Sequence, residues 1–200
     1  MSKARAKVLA LAKDASDLAV MDEIVERTLS TFGGIDIVVN NAVHRVFKPF
    51  EEVEPDEFRR SLEVNITGYF FLIQKVLPHM AGRGGSIINL SSIFGFVGSA
   101  LLSTYCVTKG AVANMTRTLA LELAEKNVRV NAVAPGPIDT KGLRALLTDP
   151  AVLEDRLSGV PLHRLGTPEE VAEACLFLAS DASSYVNGHN LVTDGGFLAH

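Results

Sequence analysis

Short apolar runs alternate with longer helical patterns along this chain. Five runs are rich in β-branched or other apolar residues and have the length of strands: residues 8–12, 35–39, 87–90, 128–134 and 191–193. Between them, apolar residues recur every three or four positions, most clearly over residues 18–32, 58–77 and 103–124. Strands that alternate with helices in this way form parallel βαβ units. The sequence therefore predicts an α/β fold with a doubly wound parallel sheet.

Helix start and stop signals support this division. Gly33 and Gly34 end the first helical pattern, and the sequence Thr167-Pro168-Glu169-Glu170 combines a capping box with proline at the first helical position. No internal repeat, low-complexity tract or linker interrupts the chain. We therefore expect residues 1–200 to form a single domain.

Composition argues against several classes of partner. The net charge is −4 and no basic run is present, which disfavours a nucleic-acid partner. No apolar run approaches the roughly 18 residues of a membrane span. Cys106 and Cys175 are isolated and lack metal-ligand spacing, so we expect buried thiols, no metal site and a cytoplasmic protein.

A serine, a tyrosine and a lysine form the strongest chemical pattern. Tyr105 and Lys109 are i and i+4 neighbours on one predicted helix, and Ser92 follows a predicted strand. A nearby ammonium favours the phenolate and lowers the pKa of tyrosine, which would suit Tyr105 to acid–base work. Ser92 would then stabilise negative charge on the substrate oxygen. The alternative is an ordinary pair of side chains on a helix surface.

Polar motifs also follow other predicted strands. Asn40-Asn41-Ala42 follows one strand and Pro135-Gly136 follows another. Right-handed crossovers would bring these motifs and Ser91 to the same edge of the sheet. Pro135-Gly136 alone is equally consistent with a sharp stop after a strand.

In order along the chain, these motifs resemble those of the short-chain dehydrogenase/reductase family, especially its oxoacyl-carrier-protein-reductase-like and sugar or alcohol dehydrogenase members. The resemblance covers nearly the whole chain and implies a Rossmann-like fold. It is carried by Asp14, Asn40-Asn41-Ala42, Asn65, Ser92, Tyr105, Lys109, Pro135-Gly136 with Thr140, and the terminal Asp194-Gly195-Gly196.

The resemblance implies a catalytic tetrad of Asn65, Ser92, Tyr105 and Lys109. Tyr105 would exchange a proton with the substrate oxygen, and Lys109 would bind the nicotinamide ribose and lower the tyrosine pKa. Asn65 would hold a water that links Lys109 to solvent. From the residues alone, the simpler interpretation of an asparagine within a helix is a satisfied core polar group or a helix kink.

The resemblance also implies a nicotinamide cofactor, either NAD or NADP, because the residue that would read the ribose 2′ position cannot be identified. Its expected contacts are Asp14 and Ala15 for the adenine, Asn41 and Ala42 for the adenosine ribose, and Ile138 and Thr140, after Pro135 and Gly136, for the nicotinamide amide and the phosphates. Asp14 also suits an N-terminal helix cap, and it could serve as both.

Two features depart from the family pattern. Val43 stands where the family has glycine after Asn-Asn-Ala, and a β-branched residue there either crowds the loop or is accommodated by a small shift. Nothing before Val8 resembles the first βαβ half with its glycine-rich turn, which binds the dinucleotide pyrophosphate. We therefore expect a fold that is truncated at its N-terminus by about two strands.

The leading functional hypothesis is an NAD(P)-dependent oxidoreductase that interconverts a small ketone and a secondary alcohol. The alternative is a truncated, cofactor-deficient protein that acts as a non-catalytic oligomerisation partner. A homodimer or homotetramer is expected in either case, because the helix at 103–124 has few charges and several small residues. His44 and Arg45 either face the substrate or are solvated loop residues. An apolar substrate pocket is expected from Phe94, Phe96, Leu143 and Leu146.

Overall fold

Four parallel strands form the sheet, in the order β1-β2-β3-β4. The computed structural model of the chain describes residues 7–80, 82–145 and 149–199. The strands are β1 (Ile37–Asn40), β2 (Gly85–Leu90), β3 (Val128–Pro135) and β4 (Asn190–Thr193). Each pairs in parallel with the next, for example Val38 with Ile87 and Ile88 with Asn131. The predicted α/β class with a parallel sheet is confirmed.

Helices connect and flank these strands. They are α1 (Leu18–Phe32), α2 (Pro55–Leu62), α3 (Gly68–Met80), α4 (Ser103–Leu123), α5 (Lys141–Arg144), α6 (Pro150–Ser158) and α7 (Pro168–Ala179). The predicted helix over 58–77 contains a π-helical segment at Glu63–Thr67, which separates α2 from α3. The predicted start of α7 is confirmed, including both hydrogen bonds of the Thr167–Glu170 capping box.

The apolar residues pack on both faces of the sheet. On one face, α1, α3 and α4 bury a cluster that includes Val25, Ile73 and Val130. On the other face, Leu178 of α7 is buried against Ile88 in β2. Helices on two faces agree with the predicted doubly wound arrangement.

Strand β1 is covered on one face only. Val38 is buried in the core, whereas Ile37 and Val39 on the opposite face are 50% and 47% exposed. The nearly continuous apolar run over 35–39 is typical of a strand that is buried on both faces, which is what its sequence predicts. That expectation is wrong within the described residues, because α7 covers β2 and β3 but leaves this part of β1 uncovered.

The predicted strand at residues 8–12 is not a strand. These residues have no regular structure, and Val8 is 79% exposed. A strand forms by hydrogen bonding to a neighbour, and this segment pairs with none of the four strands that the structure describes. Apolar composition alone was therefore insufficient to make this run a strand.

Because all four strands are parallel, their carboxyl ends meet at one edge of the sheet. The segments after Asn40, Leu90 and Pro135 leave the sheet along this edge. Open α/β sheets bind ligands at this edge. In the part of the chain that the structure describes, no helix is both long enough and apolar enough to cross a membrane.

Candidate active site

A cavity of about 510 Å³ opens at the carboxyl edge of the sheet. It brings together residues from the loop after β1, the end of β2, helix α4, and the segment that follows β3. Eight of the predicted site residues line it: Asn41, Ser92, Tyr105, Lys109, Pro135, Gly136, Ile138 and Thr140. The other four, which are Asp14, Ala15, Ala42 and Asn65, are not part of its lining.

Ser92 is fixed just beyond the end of β2. Its side chain is buried and caps a 3-10 turn at Ile93–Gly95 by accepting a hydrogen bond from the amide of Phe94 at 3.2 Å. Tyr105 lies in the first turn of α4, which packs against this 3-10 turn. The serine and the tyrosine are therefore held on two elements that contact each other directly.

Lys109 lies one helical turn beyond Tyr105 and is almost completely buried. Its ammonium donates a hydrogen bond to the carbonyl of Leu90 at the end of β2. It also faces the rings of Tyr69 and Tyr105, with 5.6 Å between the nitrogen and each ring centroid. Burial disfavours the charged form and lowers the pKa of Lys109 to about 8.

Burial raises the pKa of Tyr105 above its ordinary value of 10.0. The hydroxyl of Ser92 and the positive charge of Arg45 act in the opposite direction but do not outweigh the loss of solvation. The sequence predicted a lowered pKa because of Lys109. The direction is the reverse because the tyrosine hydroxyl is largely removed from water, which stabilises its protonated form.

Asn65 lies in the π-helical segment between α2 and α3, and its side chain is completely buried. Its amide nitrogen donates to the carbonyl of His44 at 2.8 Å and to the hydroxyl of Thr108 at 3.0 Å. Its amide oxygen accepts from the backbone N–H of His44 at 2.8 Å. These contacts agree with a satisfied core polar group at a helix irregularity. The water-binding role implied by the resemblance stays a prediction.

Asp14 lies outside the cavity and is held by other protein groups. One carboxylate oxygen accepts from the backbone and hydroxyl of Ser16, and the other pairs with Arg60. These hydrogen bonds, those from Ser16 foremost, lower the pKa of Asp14 to about 2. The alternative role of Asp14 as a helix cap is wrong, since Asp17 caps α1 through the amides of Ala19 and Val20.

Ala15 and Ala42, both predicted adenosine contacts, are held by the start of α3. The hydroxyl of Tyr69 donates to the carbonyl of Ala42 at 2.9 Å. The carbonyl of Ala15 packs against Gly68, where an added Cβ would lie 3.5 Å from it. Neighbouring residues of one helix therefore contact both alanines, although neither alanine lines the cavity.

Val43 lines the cavity and is 53% exposed. In the described residues, the non-glycine positions with positive φ are Leu101, Asn127 and His163. The backbone at Val43 is thus in a conformation that any residue adopts. The departure from glycine at this position causes no backbone strain.

The cavity wall contains two of the four predicted pocket residues. Phe94 and Leu143 line it, whereas Phe96 does not and Leu146 lies outside the described residues. Sequence reasoning missed Phe47, Arg156 and Phe197, which also line the cavity. No sequence pattern connects these residues, because each comes from a different element.

Of the two residues after Val43, Arg45 lines the cavity and His44 does not. The Nδ1 atom of His44 lies 3.3 Å from the hydroxyl of Ser61 in α2. Arg45 follows a short loop after β1 and remains exposed. The sequence had left both residues open as either substrate-facing or solvated.

Comparison with known proteins identifies relatives over most of the chain. The sequence model of a family described as enoyl-(acyl carrier protein) reductase matches residues 1–198. The 3-oxoacyl-[acyl-carrier-protein] reductase of Thermotoga maritima is 41% identical over 184 residues, covering 92% of this chain and 74% of the relative. The L-fucose dehydrogenase of Mus musculus is 44% identical over 186 residues, covering 90% of this chain and 68% of the relative.

Solved structures agree with this relationship. A gluconate 5-dehydrogenase from Burkholderia cenocepacia, crystallised in complex with NADP and tartrate, is similar to this chain with a TM-score of 0.88. The two are 34% identical, and the match covers 94% of this chain and 74% of that structure. The parallel sheet and flanking helices described above therefore have a close counterpart among solved proteins.

Proposed function

Because this chain belongs to the short-chain dehydrogenase/reductase family, a family of oxidoreductase enzymes, we propose that it interconverts a ketone and a secondary alcohol using a nicotinamide cofactor. The observation that carries the proposal is the meeting of Ser92, Tyr105 and Lys109 at one cavity. These residues supply a hydrogen-bond donor, a proton-transfer group and a cation in the same place. That combination suits a reaction in which negative charge develops on a substrate oxygen.

The proton that the substrate oxygen receives comes from a side chain of the protein. In the direction of reduction, the hydroxyl of Tyr105 donates its proton to the carbonyl oxygen while a hydride reaches the carbonyl carbon. The C=O π bond breaks, and new C–H and O–H bonds form. The hydroxyl of Ser92 donates a hydrogen bond to the same oxygen as charge develops there. A reduced nicotinamide, when bound, supplies the hydride and becomes oxidised.

The residues around Lys109 fit the ribose of such a cofactor. An ammonium has three N–H donors. Among the described residues, only the carbonyl of Leu90 accepts a hydrogen bond from Lys109. Two donors therefore stay available beside the cavity for ribose hydroxyls. Ile138 and Thr140 line the same cavity and support the proposed contacts with the nicotinamide amide and the phosphates. Asn41, a proposed contact of the adenosine ribose, also lines it.

The proposal also includes contacts between the protein and the adenosine end of the cofactor. Asp14, Ala15 and Ala42 do not line the cavity, so their proposed contacts rest on the family resemblance. The NADP in the related gluconate 5-dehydrogenase structure supports a nicotinamide cofactor in general. The absence of a glycine-rich turn, and the truncation by about two strands inferred from it, also stay predictions.

Replacement of Tyr105 by phenylalanine tests the proposal. We expect wild-type protein to oxidise NADH or NADPH in the presence of methyl 3-oxobutanoate, a simple ketone. Tyr105→Phe should lower kcat by about 10²–10⁴-fold, the typical contribution of general acid–base catalysis, without weakening cofactor binding. Tyr185→Phe is the matched control, because the side chain of Tyr185 is fully exposed. Equal activity of both variants, or no detectable binding of either cofactor to wild-type protein, would contradict the proposal.

We also propose that the protein forms a homodimer or homotetramer. Helix α4 buries one face against the sheet but leaves Val107 54% and Leu121 81% exposed, and Phe70 in α3 is 42% exposed. Such apolar side chains on neighbouring helices suit a contact between copies of the chain. Light scattering that finds a monomer at micromolar concentration would contradict this proposal.

The non-catalytic alternative has no support from the comparisons, and the cytoplasmic location stays a prediction.

A further inference from the structure

The charges that line the cavity all have the same sign. Its formally charged lining residues are Arg45, Lys109 and Arg156, and no aspartate or glutamate is among the described residues of the wall. Lys109 is assigned above to the proton-transfer group and the cofactor ribose. The two arginines have no role in that chemistry. A cavity with apolar walls and uncompensated positive charge attracts anions.

Arg45 lies close to the reacting groups. It lines the same cavity as Tyr105, and its positive charge opposes the burial that raises the pKa of that tyrosine. The guanidinium also reaches α5 on the other side of the cavity, where its Nη2 atom lies 3.8 Å from the position of an added Cβ on Gly142. Arg45 thus extends from the loop after β1 towards the segment that follows β3.

Arg45 and Arg156 have no acidic partner in the described part of the chain. Two nearby arginines behave differently. Arg144 in α5 pairs with Asp139, and Arg164 before α7 pairs with Glu170 through two hydrogen bonds of 2.9 and 2.6 Å. Of the four described arginines that form no ion pair, Arg45 and Arg156 line the cavity, whereas Arg117 and Arg129 do not.

We propose that the substrate carries a carboxylate near its reactive carbonyl or alcohol group, and that Arg45 and Arg156 bind this carboxylate. The proposal rests on the function proposed above and names its substrate class as oxo acids and hydroxy acids. A guanidinium binds a carboxylate through two parallel hydrogen bonds, which also orients it. The aromatic residues Phe47, Phe94 and Phe197 would enclose the remaining carbon skeleton.

A phosphate of the cofactor is the other possible source of the anion. The position of both arginines at the same cavity as Tyr105 favours the substrate, because Tyr105 acts on the substrate oxygen. The two sources predict different losses when the arginines are removed. A substrate role affects recognition of an acid relative to its neutral ester, whereas a cofactor role affects the affinity for NADH or NADPH.

The test compares 3-oxobutanoate with methyl 3-oxobutanoate, which differ by the negative charge. In wild-type protein, kcat/KM should favour the acid by about tenfold or more, as expected for hydrogen bonds to a charged group. Arg45→Gln and Arg156→Gln should each reduce this acid-to-ester ratio by about tenfold, chiefly through KM. Arg117→Gln removes the same charge from an exposed position on α4 and should keep the wild-type ratio. Cofactor Kd is measured in parallel for every variant.

An unchanged acid-to-ester ratio in both cavity variants would overturn the proposal. A weakened cofactor Kd with an intact ratio would also overturn it and assign the arginines to a cofactor phosphate. Saturation-transfer NMR with 3-oxobutanoate separates this proposal from the general one. Binding of the acid that is lost in Arg45→Gln supports the carboxylate site even if no turnover occurs, in which case the oxidoreductase proposal alone fails.

Discussion

The side-chain amide of Asn65 binds the backbone of His44 in both directions. Its nitrogen donates to the carbonyl of His44, and its oxygen accepts from the amide N–H of the same residue, each at 2.8 Å. The π-helical segment between α2 and α3 is thereby joined to the loop that follows β1. This loop carries Asn41, Val43 and Arg45 into the cavity, so a buried helix residue determines the position of a cavity wall.

Asn65→Ala should destabilise the protein by about 1–3 kcal/mol, because it leaves partly buried backbone groups of His44 without their side-chain partner. Urea unfolding measures this loss. His44→Ala is the matched control, since Asn65 binds only the backbone at that position. The control should lose far less stability. Equal losses in the two variants would contradict the stabilising role assigned to the hydrogen bonds between Asn65 and the backbone of His44.

Lys109→Met should make the protein more stable at neutral pH while removing activity. The fall in the pKa of Lys109 from 10.5 to about 8 corresponds to roughly 3 kcal/mol of unfavourable burial as an upper bound, at about 1.36 kcal/mol per pH unit. Below pH 8 both the folded and the unfolded chain bind this proton, so the full cost is present.

The same shift predicts how stability varies with pH. Between pH 8 and 10.5 the unfolded chain binds more protons at Lys109 than the folded chain, so the free energy of unfolding should rise with pH. The tyrosines act in the opposite sense above pH 10, because burial raises the pKa of both Tyr69 and Tyr105. The rise is therefore best measured up to about pH 9.5. It should persist in Lys126→Met, an exposed control, and disappear in Lys109→Met.

The raised pKa of Tyr105 predicts the pH dependence of activity in the free enzyme. Oxidation of an alcohol needs the phenolate, so its kcat/KM should increase about tenfold per pH unit from about pH 6 to about pH 8, the range in which Lys109 keeps its proton. Reduction needs the protonated tyrosine, so its kcat/KM should stay constant over this range. An oxidative profile that levels off near neutral pH would instead indicate that Lys109 lowers the tyrosine pKa.

The capping box of α7 should contribute measurably to stability. The hydroxyl of Thr167 accepts from the amide of Glu170 at 3.2 Å, and the carboxylate of Glu170 accepts from the amide of Thr167 at 2.8 Å. Thr167→Ala should lower the free energy of unfolding by about 1 kcal/mol. Thr167→Ser retains the hydroxyl and should stay close to wild type in denaturant unfolding. A loss of similar size in both variants would contradict a capping role.

Val43→Gly should give no advantage to the loop. Since the backbone at Val43 is not left-handed, glycine relieves no strain and only adds freedom to the unfolded chain. We expect a loss of about 0.4–1 kcal/mol in the free energy of unfolding. Cofactor Kd should be unchanged. Tighter cofactor binding in Val43→Gly than in Val43→Ala would show that the missing glycine does limit backbone approach.

Local patterns in the sequence were sufficient to predict most of the secondary structure. The β-branched runs over 35–39 and 128–134 contain strands because each pairs with a neighbouring strand, and Gly33 ends α1 in the left-handed conformation that glycine favours. The i, i+4 spacing brought Tyr105 and Lys109 together on α4, since helix geometry alone determines that relationship. The run at 8–12 failed because a strand depends on a partner elsewhere in the chain.

The sequence by itself thus determined the α/β class, the strands of the sheet and the pairing of Tyr105 with Lys109, all of which follow from short-range periodicity. Only the tertiary structure decided the environment of these groups. It set the direction of the Tyr105 pKa through burial, and it placed Arg45 and Arg156 at one cavity although they lie far apart in the sequence. Desolvation and charge balance depend on groups that folding brings together, and local spacing carries no information about them.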